Sequence, residues 1–509
     1  MSYFFSRKEI SADDSVGRAA EGHINDDGSS AVSTLITPLT HLLRWWIAAA
    51  DLIIYAGCVD NPYINANPQG ASTMKFEVQA QELNTKILAE NEHVFAMLSE
   101  KGKAIYFPKR GILAQTAEAT GKAINATIGT ALEDDGLPMC LGSLWKQLNL
   151  VKKNIFSYAP SPGRPEIRAA WKKMMYVKNP SLSGTEVSLP VVTSALTHGL
   201  SMAGYLFCNP GDAIILPDLF WENYELVFSQ AFGAAMATYP TFAGNAFNVD
   251  GLRSRINSLP RGKKIVLLNF PNNPTGYTVT EGEAAAIKKV LVDAADAGDD
   301  IVLLIDDAYF GLVFEKGILR ESLFAMLANA HRRILCVKFD GPTKEDYVWG
   351  FRVGFVTFGI QDGEGGLFGA LEAKLSGAIR GSISNASNIS QSLLLNAYSD
   401  QNYEAEKKDK YGVLKRRFEK MRDVLARRTE YGSVFKALPF NSGYFMCVKL
   451  QSGDAEPVRQ RLLAKYDTGV IAQGPVIRIA FSATPYDLLE TLLDNIYKAA
   501  CDVLRESNG

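Results

Sequence analysis

The chain has 509 residues with 47% hydrophobic content, enough to bury a large core and, by length, to divide into more than one domain. Its formal net charge of −2 leaves no basic excess for a nucleic-acid partner. Six scattered cysteines without short pairing or metal spacing, and five histidines without a His-x-x-x-His pair, argue against a disulfide framework or a metal centre; reduced thiols in a cytoplasmic protein are expected.

Residues 1–73 differ from the rest and are expected to form an N-terminal extension. Residues 1–34 are rich in Asp, Ser, Gly and Ala, a composition that favours flexibility. Leu39–Val59 is apolar, but Arg44 and Asp51 interrupt it, and either charge is expensive at a bilayer centre, so no membrane span is expected. Glu9, Asp13, Asp14 and Glu21 lie where organellar presequences are acid-poor. Pro62, Asn65, Asn67, Pro68 and Gly70 mark a linker. Phe76–Leu98 then reads as a charged amphipathic helix.

From about Asn154 to Gln391 apolar runs alternate with helical stretches. The runs Val187–Val192, Ala213–Leu216, Ile265–Leu268, Ile301–Ile305, Ile334–Val337 and Phe351–Phe358 predict strands of an α/β fold, a mainly parallel sheet between helices. Tyr403–Arg428 predicts a long charged helix, followed by strands Tyr444–Leu450 and Val476–Phe481 of a smaller α+β domain. The expected division is 74–150 as the N-terminal part of the small domain, 151–400 as the large domain and 401–509 as the C-terminal small domain.

Three segments carry chemistry. Residues 341–355, Gly-Pro-Thr-Lys-Glu-Asp-Tyr-Val-Trp-Gly-Phe-Arg-Val-Gly-Phe, set Lys344 eight residues before Arg352. A lysine amine can condense with a carbonyl to a Schiff base, and an arginine fork can bind a phosphate bidentately, so the pair suits pyridoxal phosphate gripped at both ends. Residues 269–276, Asn-Phe-Pro-Asn-Asn-Pro-Thr-Gly, and 301–309, Ile-Val-Leu-Leu-Ile-Asp-Asp-Ala-Tyr, each read as a buried strand ending in polar groups. Ligands of open α/β sheets bind beyond such carboxyl ends.

In this order the segments resemble the fold type I pyridoxal-phosphate enzymes, specifically class I aminotransferases of the aspartate and aromatic kind, from about Met74 onward. The resemblance implies that Lys344 is the Schiff-base lysine and Asp306 the partner of the pyridine nitrogen, with Tyr309 and Asn273 as donors to the ring hydroxyl. It further implies that Arg352 binds the phosphate together with the backbone amides of Ala195, Leu196 and Thr197 at a helix start. Trp221 takes the place of the ring stacked on the cofactor, and Tyr158 that of the tyrosine reaching the neighbouring subunit's phosphate. A carboxylate that keeps the ring nitrogen protonated makes the ring an electron sink, and the freed lysine amine can move the substrate Cα proton.

Further residues resemble the aspartate-type branch. Gly129, in Ile124-Asn125-Ala126-Thr127-Ile128-Gly129, matches the glycine that lets the substrate carboxylate approach the backbone. Arg478 matches the clamp on the α-carboxylate, and Arg380 the partner-supplied arginine for a side-chain carboxylate. Gly341, in place of a serine, and the bulky Ala195-Leu196-Thr197 depart from the family pattern at the phosphate. Glu345, Asp346 and Trp349 complicate the side-chain preference.

The expectation is a homodimer with shared active sites that transfers an amino group between an aspartate-like or aromatic amino acid and a 2-oxo acid such as 2-oxoglutarate, by a ping-pong cycle. Two alternatives stay open: β-elimination or decarboxylation of an acidic amino acid on the same scaffold, and a degenerate aminotransferase domain serving as a ligand sensor, which requires a basic helix-turn-helix module in front.

Overall fold

A computed structural model describes residues 76–91, 95–96, 98, 100–105 and 111–507. The expectations for residues 1–73, including the Leu39–Val59 stretch, lie outside the described residues. The first helix among the described residues runs Val78–Glu90, within the predicted Phe76–Leu98 span.

Among the described residues seven strands build the central sheet: β1 (Val191–Thr193), β2 (Ala213–Pro217), β3 (Ala235–Tyr239), β4 (Lys263–Asn269), β5 (Asp300–Asp306), β6 (Ile334–Asp340) and β7 (Gly354–Gly359). Their order is β1-β7-β6-β5-β4-β2-β3. All neighbours pair parallel except β7, which runs antiparallel to both β1 and β6. The expected α/β class with a mainly parallel sheet is therefore what the chain adopts.

The continuous apolar character of β4 and β5 follows from burial on both faces. Leu267 and Leu304 join one core cluster, while Val266, Leu268, Leu303 and Ile305 join the other, beneath Ile287 and Leu291 of helix Glu281–Asp296. Each such side chain contributes about 1.5–3 kcal/mol by leaving water. That helix begins with a capping box, in which the Thr280 hydroxyl accepts from the Glu283 amide and the Glu283 carboxylate accepts from the Thr280 amide.

A second sheet contains β8 (Phe435–Ala437), β9 (Phe445–Leu450), β10 (Ile471–Gln473) and β11 (Val476–Ala480), antiparallel in the order β8-β9-β11-β10. Ile124–Asn125 pairs with Thr468–Gly469, which brings the segment holding Gly129 against the C-terminal part of the chain. Helix Leu489–Ser507 closes this layer, burying Leu489, Leu492, Leu493, Ile496, Ala499 and Ala500 at helical spacing.

Two strand boundaries differ from the expectation. The Val187–Val192 run becomes a ladder only at Val191, because Pro190 lacks the amide a strand needs. The Phe351–Phe358 run starts only at Gly354, because Trp349–Phe351 forms a 3₁₀ turn and Arg352 takes a left-handed backbone, φ 52°.

Candidate active site

The carboxyl ends of β1, β4, β5 and β6 face one cavity of about 370 Å³. β5 delivers Asp306 and, one turn later, Tyr309. The turn Pro342–Glu345 after β6 delivers Lys344. The loop after β4 supplies Asn273, and the helix Ala195–Phe207 after β1 supplies Ala195, Leu196 and Thr197 at its start. Arg352, Trp221, Gly129 and Arg478, the last from β11, complete the lining.

Asp306 is almost fully buried, and burial pushes its carboxyl above the usual range; the Tyr224 hydroxyl and the Lys344 ammonium oppose that rise. Tyr224 donates to Asp306 Oδ2 at 2.6 Å, and the Ala308 amide donates to Oδ1 at 3.0 Å. Asn269 anchors the same corner, its Nδ2 donating to the Asp306 carbonyl at 2.8 Å while its Oδ1 accepts from the Asn273 amide at 2.8 Å.

Lys344 Nζ lies 4.9 Å from the centroid of the Tyr309 ring, and among the described residues no hydrogen bond or ion pair holds it. Burial lowers its ammonium to about 8; Asp306 acts in the opposite direction and Arg352 adds to the fall. The amine is thus partly neutral near neutral pH, the state required of a nucleophile or base. Burial pushes the Tyr309 hydroxyl up, so it stays a proton donor at neutral pH.

Arg478 is buried, and burial lowers its guanidinium without bringing it near deprotonation. Its Nη2 donates to the Thr127 carbonyl at 3.0 Å, its Nη1 to Asn273 Oδ1 at 3.3 Å, and its plane lies 4.5 Å from the Phe445 ring centroid. Its Nε is buried without a hydrogen-bond partner. A buried donor without a partner leaves a bond unmade, at a cost of about 1–3 kcal/mol. Arg352 is more exposed and donates to the Trp349 carbonyl at 3.2 Å.

Helix Ala195–Phe207 opens toward the cavity with amides that have no partner inside the helix. Ala195 itself has φ 63°, and a Cβ on Gly354 would fall 2.7 Å from the Ala195 carbonyl carbon and 2.9 Å from the Leu196 nitrogen. Gly354 therefore lets β7 pass directly under the helix start.

Eleven of the thirteen expected site residues line this cavity. Tyr158 and Arg380 do not: Tyr158 is 90% exposed, and Arg380 donates to Ser384 Oγ at 2.8 Å on the surface. The cavity also contains groups that the sequence reading passed over: Tyr224, Asn269, Thr127, Ile128, Thr343 and Phe445, with Ile112 and Thr116 from helix Ile112–Glu118. Tyr224 stands only three residues beyond Trp221, and its ring packs edge-on to Trp221 at 5.5 Å, so that spacing was the available signal.

A family model described as aminotransferase class I and II matches residues 122–496. Among curated relatives, a probable N-acetyl-LL-diaminopimelate aminotransferase of Bacillus subtilis is 25% identical over 208 residues, 40% of this chain and 48% of the relative. An aspartate aminotransferase of Musicola paradisiaca is 26% identical over 163 residues, 32% of this chain and 38% of the relative. In both cases the chain spans less than half of the relative's own length. Solved structures are similar in fold: an aminotransferase from Anaerococcus prevotii has a TM-score of 0.69 at 22% identity, covering 79% of this chain and 99% of that one. Thermus thermophilus aspartate aminotransferase has a TM-score of 0.61 at 19% identity, with the same coverage. The shared architecture is fold type I.

Proposed function

Since the chain belongs to the class I and II aminotransferase family, we propose that it is a pyridoxal-phosphate-dependent aminotransferase moving an amino group between an aspartate-like or aromatic amino acid and a 2-oxo acid such as 2-oxoglutarate. The observation that carries this reading is the meeting of Lys344, Asp306, Tyr309, Asn273 and Arg478 in one cavity. The donor set among the described residues suits the cofactor: an amine free of hydrogen bonds, a buried carboxylate, a phenol, a helix start and the exposed guanidinium of Arg352. When bound, pyridoxal phosphate supplies an aldehyde that links to an amine and a ring that draws electron density from the substrate Cα.

In this reading Asp306, fixed by Tyr224 and Ala308, holds the proton on the ring nitrogen. Tyr309 and Asn273 donate to the ring hydroxyl, and Trp221 covers one ring face. Arg352 and the amides of Ala195, Leu196 and Thr197 bind the phosphate. Arg478 takes the α-carboxylate, with Gly129 admitting that carboxylate to the backbone. This orients Cα toward Lys344, whose lowered proton affinity lets the amine take the Cα proton and return it.

A homodimer with shared sites belongs to the same proposal. Trp145, Leu148, Val151, Phe156 and Tyr158 are exposed along one stretch of chain, a run of apolar surface suited to a second copy. Tyr158 and Arg380 then serve the partner's cavity. The test is an amino-donor screen with 2-oxoglutarate: glutamate formed in step with donor consumption supports the proposal. Release of ammonia with pyruvate, or of carbon dioxide, instead supports the lyase or decarboxylase alternative.

A further inference from the structure

Lys344 is followed by two acidic residues that take no part in the cavity; Asp346 is buried and Glu345 is mostly covered. Glu345 points away from the pocket, its Oε1 2.6 Å from Lys178 Nζ at the end of helix Pro165–Lys178 and 3.0 Å from Lys407 Nζ on helix Tyr403–Arg427. Asp346 is fully buried; its Oδ1 lies 2.9 Å from Lys407 Nζ and accepts from the Tyr403 hydroxyl at 2.7 Å, and its Oδ2 accepts from the Tyr398 hydroxyl at 3.1 Å. Lys407 Nζ is also 3.1 Å from the Tyr403 hydroxyl. Two carboxylates and two ammonium groups thus form a charge-balanced, largely covered cluster directly behind the turn that presents Lys344.

The other side of the turn is fixed as well. The Tyr444 hydroxyl donates to the Lys344 carbonyl at 2.9 Å, and the Asp346 amide donates to the Pro342 carbonyl at 2.8 Å. Burial acts to raise the Glu345 carboxyl, and the two lysines overcome it, holding the acid ionised well below its usual range. Among the described residues Lys407 alone touches both carboxylates.

We infer that Lys407 is a positioning residue for Lys344: from outside the cavity it ties Glu345 and Asp346 to helix Tyr403–Arg427 and so fixes the turn from which the Lys344 amine enters the cavity. The inference rests on the aminotransferase reading above. Buried pairs of this kind break asymmetrically, because removing one partner strands the other's charge. In Lys407→Met, Asp346 keeps only its phenol donors and the cluster carries an unbalanced negative charge. The turn relaxes to expose it, and Lys344 leaves its place by a fraction of an ångström to an ångström, a scale on which rates fall by roughly 10²-fold.

The test uses the pyridoxal-phosphate-loaded protein and two readouts. K407M should lower kcat by about 10²-fold while KM for the amino donor stays close to wild type, because Arg478 and the substrate pocket are untouched. K407R, which keeps a cation, should recover part of the loss. Without cofactor, the labelling rate of the Lys344 amine by trinitrobenzenesulfonate, read peptide by peptide by mass, should rise in K407M while that of exposed Lys408 stays constant. An unchanged kcat, a change confined to KM, or an unchanged Lys344 labelling rate overturns the inference. If the wild type fails to exchange amino groups, the functional proposal falls, and labelling alone decides the role of Lys407. Should K407M not fold, Asp346→Asn removes, at nearly constant shape, one of the two carboxylates that Lys407 ties: a fall in kcat at constant KM supports the inference, and wild-type kcat overturns it.

Discussion

Tyr224→Phe removes one hydroxyl and leaves the ring in place against Trp221 and Phe228. Asp306 Oδ2 then loses its 2.6 Å donor, while Oδ1 keeps the Ala308 amide. A hydrogen bond to a charged group is worth about 1.5–3 kcal/mol. Without that donor to its charged form the Asp306 carboxyl should rise. Burial already pushes it up, so the loss moves it further in the same direction. If the ionised carboxylate is the form that supports Cα proton removal, the neutral fraction grows at low pH and the acidic limb of the rate profile moves upward. Stopped-flow single turnover across the pH range measures this directly. The expected result is a rate about 10- to 100-fold below wild type on the acidic side, with the gap closing as pH rises past the shifted limb. A wild-type rate at every pH, or a limb that moves down, would refute the assignment of Tyr224 as the donor that keeps Asp306 ionised.

Arg478→Ala should impair every amino donor, because each carries an α-carboxylate, and steady-state kcat/KM across acidic and aromatic donors checks it. Arg380→Ala should instead depress kcat/KM for aspartate and glutamate beyond that for phenylalanine by about 2–5 kcal/mol, the penalty for one stranded charge; equal losses would remove Arg380 from the specificity account. Gly354→Ala places a methyl within 3 Å of the Ala195 and Leu196 backbone, which cannot step aside as a side chain can. A loss of about 1–3 kcal/mol in denaturant stability together with weaker pyridoxal phosphate affinity is expected, and wild-type values for both would contradict the packing argument.

The fold was legible where both faces of a strand are buried. β4 and β5 read as unbroken apolar runs because helices cover both sides of the parallel sheet. The edge strand β3, Ala-Met-Ala-Thr-Tyr, was passed over because its small, half-buried side chains carry little hydrophobic signal. The short strands β8 and β10 fall below the length at which alternation can be seen. Arg352 hid the true start of β7, since a left-handed arginine has no mark in the sequence.

In the cavity, the groups that sequence placed best, Lys344, Asp306 and Asn273, sit on turns at strand ends, where local motif and location coincide. Tyr224 and Asn269 act through contacts to Asp306 across 82 and 37 residues of chain, which spacing cannot express. The pairing of Lys407 with Glu345 and Asp346 spans a similar separation, so the acidic pair after Lys344 read only as a complication. The roles given to Tyr158 and Arg380 depend on a second chain.

The central claim is that this cavity transfers an amino group through Lys344. Protein loaded with pyridoxal phosphate, given one amino donor and no oxo acid, should yield one equivalent of the matching 2-oxo acid and one of pyridoxamine phosphate per protomer, measured by mass after quenching, and Lys344→Ala should yield neither. Ammonia or carbon dioxide in place of pyridoxamine phosphate, or an undiminished yield from Lys344→Ala, would contradict it.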